Sequence, residues 1–378
     1  MSKINVRSPY FITDNSTSSG SALASAVLYI RIYTGNASTS LGQTPEYVIN
    51  STAINGSVTF EVSELVRDYI ENTFDGDYTG SVKWFNYNII RTYANASTSL
   101  TAQQNLAVFD GYGYFENGSN PQNLRSALQS NTTIFTNDIA NINIPIHVTE
   151  DTTVSYLKDG EIIFTKDLVY STNSADQVQY VQNSSLDADV FKKRVDAITG
   201  TTLEAFNCVK NIASDVYQEF DADSIYIDKG GVIEVIKIEE VEECKYNPYK
   251  VTFVNKFGVL QDLWFFKRSN LSLQTQQESY KANIVTNGTY SINSRQKTVF
   301  NKTGMERLQL NTGFYPESYN EIFRQLTLSE EVWIKYDGDT LPITVMSSSL
   351  NYKTSVNDKL INYTIDVEFA NNKINNIR

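Results

Sequence analysis

Apolar and polar residues alternate with a period of two along many segments of this chain, which is the pattern of half-buried β-strands. In residues 26–33, Ala26, Leu28, Ile30 and Ile32 share one face. The last segment alternates without interruption, with Ile361, Tyr363, Ile365, Val367 and Phe369 opposite Asn362, Thr364, Asp366 and Glu368. The pattern predicts an all-β protein, built mainly of antiparallel sheets in β-sandwich or barrel-like domains.

Turn signals between these segments predict hairpins. The pairs Asn55-Gly56, Asp159-Gly160 and Asp337-Gly338 each separate two apolar runs. Such residues tolerate the positive φ angles that two-residue hairpin turns require. Two longer turns, 228–231 and 255–258, predict hairpins of 224–227 with 232–238 and of 249–254 with 260–266.

Two or three short helices are predicted to cover the sheets. Residues 63–72 have apolar positions on one side after Ser63, which is a favourable N-cap residue. Residues 316–327 carry one apolar stripe behind Pro316, a residue that suits a helix start. Residues 171–220 are the least regular part, with 191–195 as a candidate strand and 203–212 as a candidate third helix.

The chain is long enough for two or three domains, since its 378 residues exceed a typical β domain. Breaks in the pattern predict three: an N-terminal β-sandwich-like domain at 1–125 with the helix near 63–72, a hairpin-rich middle β domain at 131–245, and a C-terminal β domain at 246–378 with the helix near 316–327.

Charge and hydropathy exclude several functions. Lys and Arg number 31 against 43 Asp and Glu, a net charge of -12, which argues against direct binding to nucleic acid phosphates. No apolar run approaches the roughly 18 residues of a membrane span, and residues 1–16 lack the features of a secretory leader. Cys208 and Cys244 are expected to be reduced, buried thiols, with a bridge between them as the alternative.

The residues that usually carry chemistry form no known site. His147 is the single histidine and lies in an apolar stretch, so a structural or surface role is expected. Asp221, Asp223 and Asp228 have a spacing suggestive of calcium, but Tyr226 occupies the position where an EF-hand loop needs glycine. No nucleophile elbow, dinucleotide fingerprint or phosphate loop is present. We therefore assign no catalytic, cofactor-binding or metal-binding residue and predict that the protein is not an enzyme.

Tyrosine is abundant, with 24 residues, and allows two interpretations. Most are expected to be half-buried strand residues, while some are free to line a sugar-binding face or a protein contact, where aromatic residues are enriched. The residues considered for this role are Tyr10, Tyr29, Tyr33, Tyr112, Tyr114, Tyr246 and Tyr249.

Several stretches resemble a known group of proteins. They are Ser8-Pro9-Tyr10-Phe11 and residues 60–70, 110–115, 244–266 and 360–378, so the similarity includes both ends of the chain. These stretches look like virion structural proteins of tailed bacteriophages that infect Bacteroidetes, including flavobacterial hosts. The resemblance implies a tail, baseplate or neck component, assembled in the host cytoplasm and acting in the virion as a homo-oligomeric ring with other virion proteins.

Two other functions remain open from the sequence. A glycan-binding surface protein needs a strip of exposed aromatic residues, and a glycan-degrading tail protein needs a cleft with two carboxylates. The polar tail 371–378 has too little apolar surface to order itself, and we expect it to become ordered only by docking on an adjacent chain.

Overall fold

The fold is described from a computed structural model of the chain. It describes residues 3–34, 44–78, 83–121, 127–129, 132–138, 142–147, 151–168, 178–183, 222–347 and 360–374. The candidate strand 191–195 and the candidate helix 203–212 lie outside these residues. Strands account for 57% of the described residues and helices for 7%, which confirms the all-β prediction.

The described residues divide into two compact units, 1–242 with 252–263, and 243–251 with 264–378. The three-domain division made from the sequence stays a prediction. Strands of the first unit are β1 (Lys3–Asn5), β2 (Phe11–Asp14), β3 (Thr17–Ser18), β4 (Ser21–Thr34), β5 (Tyr47–Thr52), β6 (Val58–Glu61), β7 (Lys83–Tyr93), β8 (Thr98–Leu100), β9 (Gln104–Phe109), β10 (Thr133–Thr136), β11 (Ile142–His147), β12 (Thr152–Lys158), β13 (Glu161–Leu168), β14 (Val178–Asn183), β15 (Ser224–Lys229) and β16 (Val232–Glu240).

The remaining strands are β17 (Tyr249–Val254), β18 (Leu260–Phe265), β19 (Lys267–Lys281), β20 (Lys297–Asn311), β21 (Tyr315–Pro316), β22 (Val332–Tyr336), β23 (Asp339–Val345), β24 (Leu360–Ile361) and β25 (Thr364–Phe369). The boundary between the units runs through β17 and β18, so each of these strands contributes residues to both.

Most strand pairs are antiparallel, as the hairpin signals predicted. One seven-stranded sheet has the order β1-β9-β7-β4-β3, with β5 on β4 and β8 on β7. A five-stranded sheet has the order β10-β16-β15-β12-β13, and another seven-stranded sheet has the order β18-β17-β22-β23-β25-β20-β19. The pairs β2-β6, β11-β14 and β21-β24 stand apart, while β1-β9 and β10-β16 pair in parallel.

The predicted two-residue turns are present because their residues adopt positive φ. Asn55 and Gly56 have φ of 52° and 77°, and Asp159 and Gly160 have 53° and 83°. The first turn is closed by a bridge between Ile54 and Ser57, and the second joins β12 to β13. Asp337-Gly338 likewise joins β22 to β23. The β15–β16 hairpin turns at Gly230-Gly231, because Lys229 already pairs with Val232.

Several buried hydrophobic clusters form the core of the described part of the first unit. Residues Ala26, Leu28, Ile30 and Ile32 of β4 are buried on one face, as their spacing predicted, and pack with residues of β1, β2, β6, β7 and β9. A second cluster joins β11 to the sheet that contains β12, β15 and β16. In the second unit, Leu308 and Leu310 of β20 and Ile365 and Val367 of β25 are buried.

Both predicted covering helices exist, and both differ from the prediction at an end. The first, α1 (Ser63–Arg67), is only five residues long and has Val62 rather than Ser63 as its N-cap. The Ser63 side chain instead donates to the Glu61 carboxylate, so it does not cap the helix. The second region starts with a 3-10 turn at Glu317–Tyr319, which Pro316 precedes, and continues as α2 (Asn320–Leu328).

The final alternating segment is split between two pairings. Ile361, Tyr363, Ile365, Val367 and Phe369 are all buried, which confirms the predicted apolar face. However, β24 pairs with β21, whereas β25 lies between β20 and β23. On the predicted polar face, Glu368 is also buried, because Arg307 of the neighbouring strand pairs with its carboxylate.

Within the described part of the chain, no helix combines the length and apolar character required to cross a membrane.

Candidate functional site

The most exposed feature of the second unit is a long two-stranded arm. Strands β19 and β20 have 15 residues each and pair along their whole length, from Lys267 with Asn311 to Lys281 with Lys297. At roughly 3.3 Å per residue each strand spans about 50 Å. Only residues 307–311 of β20 also pair with β25. We call residues 267–311 the arm.

A short turn closes the end of the arm. Asn287 and Gly288 have φ of 51° and 77°, which is the backbone of a type I′ turn. Thr286 and Thr289 flank them and exchange two backbone hydrogen bonds of 2.9 and 3.1 Å. Farther back, the Ala282 N–H donates to the Gln296 carbonyl over 2.7 Å. The connection 282–296 is therefore a further hairpin element with defined backbone hydrogen bonds.

The arm is fixed to the rest of its unit at its base, which consists of Lys267 in β19 and residues 307–311 in β20. Leu308 and Leu310 point into the core, and Arg307 Nε lies 2.6 Å from the Glu368 carboxylate. Lys267 pairs with Glu243 at 2.5 Å. Beyond the base, the strands lose these contacts, and almost every residue of β19 is exposed. An isolated two-stranded ribbon is only marginally stable in water, so its length requires a functional explanation.

Large apolar side chains are distributed along the exposed part of the arm. They are Leu271, Leu273, Tyr280, Val285, Tyr290, Ile292, Val299 and Phe300, with exposed fractions from 45% to 91%. With roughly 200 Å² per large side chain, they expose on the order of 1,000 Å², and a standard protein interface buries about 800 Å² on each partner. A surface of this kind is typical of a protein contact.

A bulge shapes the apolar surface near the end of the strands. Glu278 pairs with Asn301 and Ser279 with Val299, so Phe300 is the extra residue. Its ring lies 6.0 Å from that of Tyr280 between centroids. Such bulges increase the local twist and redirect a side chain. The rings of Tyr280 and Phe300, one from each strand, are therefore exposed side by side.

The outer edge of β19 is open to pairing. In the strand order of its sheet β19 is terminal, and among the described strands it pairs with β20 alone. From Ser269 to Tyr280 the sequence has no Lys, Arg or Pro, the residues with which proteins usually protect an edge strand. Glu278 is the one charged residue of that stretch. This edge is therefore chemically able to accept another strand.

The arm is basic, although the protein is acidic. It contains seven Lys or Arg and two Glu, a net charge of +5, in a chain with a net charge of -12. In its outer part, Lys281, Arg295, Lys297 and Lys302 accompany Glu278. These four basic side chains take part in none of the ion pairs found among the described residues.

A cleft of about 610 Å³ in the first unit is the second feature that deserves consideration. It is lined by Ile12, Thr13, Asp14, Asn15, Ser16, Tyr87, Ile89, Arg91, Leu100, Thr101, Ala102 and Gln104. Arg91 Nε lies 2.6 Å from Asp14 Oδ2, and the Ser16 N–H donates to Asp14 Oδ1 over 3.0 Å. Burial acts to raise the pKa of Asp14, but the hydrogen bonds from Arg91 and Ser16 outweigh it, so the pKa lies below its ordinary value.

This cleft lacks the arrangement of a glycoside hydrolase. Such enzymes require two carboxyl groups, one of which has a raised pKa and acts as an acid. Among the described residues that line the cleft, Asp14 alone is acidic, and its pKa is lowered. The Asp14–Arg91 pair therefore has the character of a structural ion pair.

His147 occupies a packing position. It is the last residue of β11 and is 1% exposed. Its ring stacks on Phe109 with 4.6 Å between centroids and 26° between planes. This environment agrees with the structural one of the two roles expected from the sequence.

Asp223 and Asp228, two of the three aspartates with calcium-like spacing, stabilise turns. Asp223 accepts from the Asp159 N–H at 2.7 Å and from the Ser224 hydroxyl at 2.7 Å, and Asp228 accepts from the Gly231 N–H at 2.8 Å. Asp221 lies outside the described residues. Across the part of the chain that the structure describes, no three His, Cys, Asp or Glu side chains converge as metal ligands.

The prediction of buried thiols is wrong for Cys244, which is free and exposed, because it lies in the irregular segment that follows β16. Cys208 lies outside the described residues. The seven tyrosines singled out from the sequence are all buried or half-buried, but of these only Tyr29, Tyr33 and Tyr249 lie in strands. The exposed aromatic residues instead include Tyr280, Tyr290 and Phe300 of the arm.

Sequence reasoning missed the arm altogether. In residues 267–311 the apolar alternation is short, with Leu271 and Leu273 in β19 and Leu308 and Leu310 in β20, and Gln, Thr and Ser dominate the rest of β19. Strand recognition relies on one buried face, and this ribbon has none beyond its base. One signal was present, since Asn287-Gly288 is the same turn dipeptide that located the Asn55-Gly56 turn.

No protein-family model matches the chain, and comparison with curated proteins gives no match either.

Proposed function

We propose that this protein is a non-enzymatic structural component of a tailed bacteriophage virion, in the tail, baseplate or neck. It acts through contacts between its own copies in a ring and with other virion proteins. The arm is the observation that carries the proposal. A 15-residue ribbon that exposes on the order of 1,000 Å² of largely apolar side chains is suited to a contact between proteins.

The sequence resemblance supports the virion assignment, and symmetry supports the ring. Repeated copies of one chain usually assemble with closed symmetry, and a contact between unlike surfaces gives a ring when its rotation closes. The arm supplies one of the two unlike surfaces. The other surface would be a part of the neighbouring copy outside its arm. Assembly in the host cytoplasm and a place in the virion belong to the same proposal.

The test is the assembly state of the purified full-length chain. Light scattering after size-exclusion chromatography and negative-stain electron microscopy should show particles of one subunit number with rotational symmetry. A chain that stays monomeric at every soluble concentration would contradict the proposal.

A shortened arm provides the matched variant. Gln276 pairs with Thr303, so an Asn-Gly turn that replaces residues 277–302 joins two paired positions and preserves the base. We expect this variant to retain the far-ultraviolet spectrum and the urea midpoint of the parent chain but to lose assembly. Full assembly of the shortened chain would show that the contact lies elsewhere.

A second candidate function, glycan binding, has one observation in its favour. The cleft places Tyr87 beside Asp14, Arg91 and Gln104, and an aromatic ring with converging polar groups is a common ligand-binding arrangement. Glycan-array binding by the parent chain that Arg91→Ala abolishes would favour this candidate. Absence of binding to any glycan would remove it.

A further inference from the structure

We infer that the arm of one copy docks on an acidic surface of a second copy, at the end of β16. The inference rests on the proposed function and adds to it the two surfaces in contact. It follows from three observations: the charge of the arm, the charge of the remaining chain, and the composition of the surface along β16.

The charges of the two surfaces are complementary. With seven Lys or Arg and two Glu in the arm, the rest of the chain keeps 24 Lys or Arg against 41 Asp or Glu, a net charge of -17. Opposite potentials on two surfaces accelerate association and select the correct partner. A nucleic acid also attracts a basic arm, but the remaining charge of -17 repels phosphates. A second copy of this chain therefore fits the arm better.

The end of β16 has the densest exposed acidic run among the described residues. Glu239, Glu240 and Glu242 are all exposed there. The same strand exposes Val232 and Ile233 at its other end, with 47% and 57% of their surface open. β16 therefore exposes apolar side chains at its first end and acidic side chains at its last end, with Lys237 exposed between them.

The size of the arm is also sufficient. Its exposed apolar residues provide on the order of 1,000 Å², above the roughly 800 Å² per partner of a standard interface. Lys297 and Lys302 lie on either side of Val299 and Phe300 in β20, so basic and apolar groups engage the same partner surface. The contact joins two unlike surfaces, so it propagates from copy to copy in one direction.

The experiment compares charge-reversal variants of the full chain by sedimentation velocity at several salt concentrations. Lys297→Glu with Lys302→Glu should raise the dissociation constant for subunit association at least about tenfold. The control is Lys158→Glu with Lys335→Glu, which changes net charge equally outside the arm and should leave association unchanged. Association of the parent chain should weaken as salt is added.

The charge-swapped chain tests the docking surface itself. It combines Lys297→Glu and Lys302→Glu with Glu239→Lys and Glu240→Lys, and it should recover association that the arm variant has lost. Failure to recover overturns the assignment of the β16 surface. Undiminished association of the arm variant overturns the inference but leaves the proposed function in place, whereas a parent chain that never associates overturns both.

Duplex DNA separates the nucleic acid alternative. Our inference predicts that added DNA leaves the parent chain's association unchanged. Binding of DNA that is lost in the arm variant, together with unchanged self-association of that variant, would assign the basic arm to nucleic acid.

Discussion

The hydroxyl of Tyr315 donates a 2.7 Å hydrogen bond to the backbone carbonyl of Trp264, inside the aromatic cluster of the second unit. Tyr319 and Phe323 contact the same ring, at 4.5 and 5.7 Å between centroids. This bond connects the segment before the arm to the segment after it. It therefore fixes the base from which the arm extends.

Replacing Tyr315 by Phe should lower the free energy of unfolding by about 1–2 kcal/mol, because the part-buried hydrogen bond to the Trp264 carbonyl is lost. Urea denaturation measures the change. Tyr290→Phe is the control, since Tyr290 is two-thirds exposed and should shift stability by less than about 0.5 kcal/mol. Equal effects of the two substitutions would contradict the role given to the Tyr315 hydroxyl.

The same hydroxyl should produce a stability change at high pH. Burial raises the pKa of Tyr315 well above its ordinary value. The folded state therefore disfavours the ionised form of the Tyr315 hydroxyl. The stability that the protonated hydroxyl contributes is complete below the unfolded pKa of about 10 and is lost as pH rises toward the folded pKa. The parent chain should lose stability above pH 10 more steeply than Tyr315→Phe. Parallel stability curves for the two chains between about pH 9 and 11 would argue against this prediction.

The Asp14–Arg91 pair should produce the opposite dependence at low pH. The pKa of Asp14 is lowered in the folded protein. The stability that its ionised carboxylate contributes is therefore present above the unfolded pKa of about 3.9 and is lost as pH falls through the folded pKa. At pH 7, Asp14→Asn should cost about 1–3 kcal/mol, because Arg91 loses a mostly buried carboxylate. Thermal unfolding at several pH values measures it.

The difference between the parent chain and Asp14→Asn should disappear at the acid end of that series. Asp75→Asn serves as the control, because Asp75 is exposed and accepts from the Asp77 N–H within its own turn. If the stability difference between the parent chain and Asp14→Asn stays constant from pH 7 to acidic pH, the ion pair does not cause it.

Gly258 should be intolerant of any side chain. Its φ is 75°, and an added Cβ would lie 2.8 Å from both the Asp110 nitrogen and the Phe109 Cβ. Gly258→Ala combines backbone strain of about 1 kcal/mol with overpacking of about 1–3 kcal/mol. Gly20 has a similar φ of 77° with nothing within 4 Å, so Gly20→Ala should show the strain alone. Chemical denaturation of both variants separates the two causes.

The C-terminal tail should stabilise its own chain. The Lys373 N–H donates to the Gly304 carbonyl at 2.8 Å, and Lys373 Nζ lies 3.0 Å from the Glu306 carboxylate. The expectation that the tail becomes ordered only on an adjacent chain is therefore wrong for residues 371–374, because Gly304 and Glu306 of the same chain bind Lys373. Residues 375–378 lie outside the described part.

Deleting residues 371–378 should lower stability by about 0.5–1.5 kcal/mol through the lost backbone bond. Lys373→Ala keeps the backbone donor and removes only an exposed ion pair, so it should cost less than about 1 kcal/mol. Urea denaturation of both chains measures the two contributions. If truncation leaves the urea midpoint unchanged, the contact with Gly304 is energetically unimportant.

The sequence by itself determined the fold class, most hairpins and the buried faces. Period-two alternation marks a face only where one side is buried, as in Ala26–Ile32 and Ile361–Phe369, and both faces were found for that reason. Turn dipeptides such as Asp159-Gly160 act locally, since positive φ is a property of the residue itself.

The tertiary structure decided what local patterns do not encode. α1 ends at Arg67, although the apolar spacing continues to Ile70, because helix length depends on packing more than on propensity. Glu368 is buried because Arg307 lies on the neighbouring strand, which is 61 residues away in sequence. The arm has no buried face beyond its base, so its sequence carries no long apolar alternation by which it could be predicted. The pairing of β19 with β20 revealed the surface on which the proposed function depends.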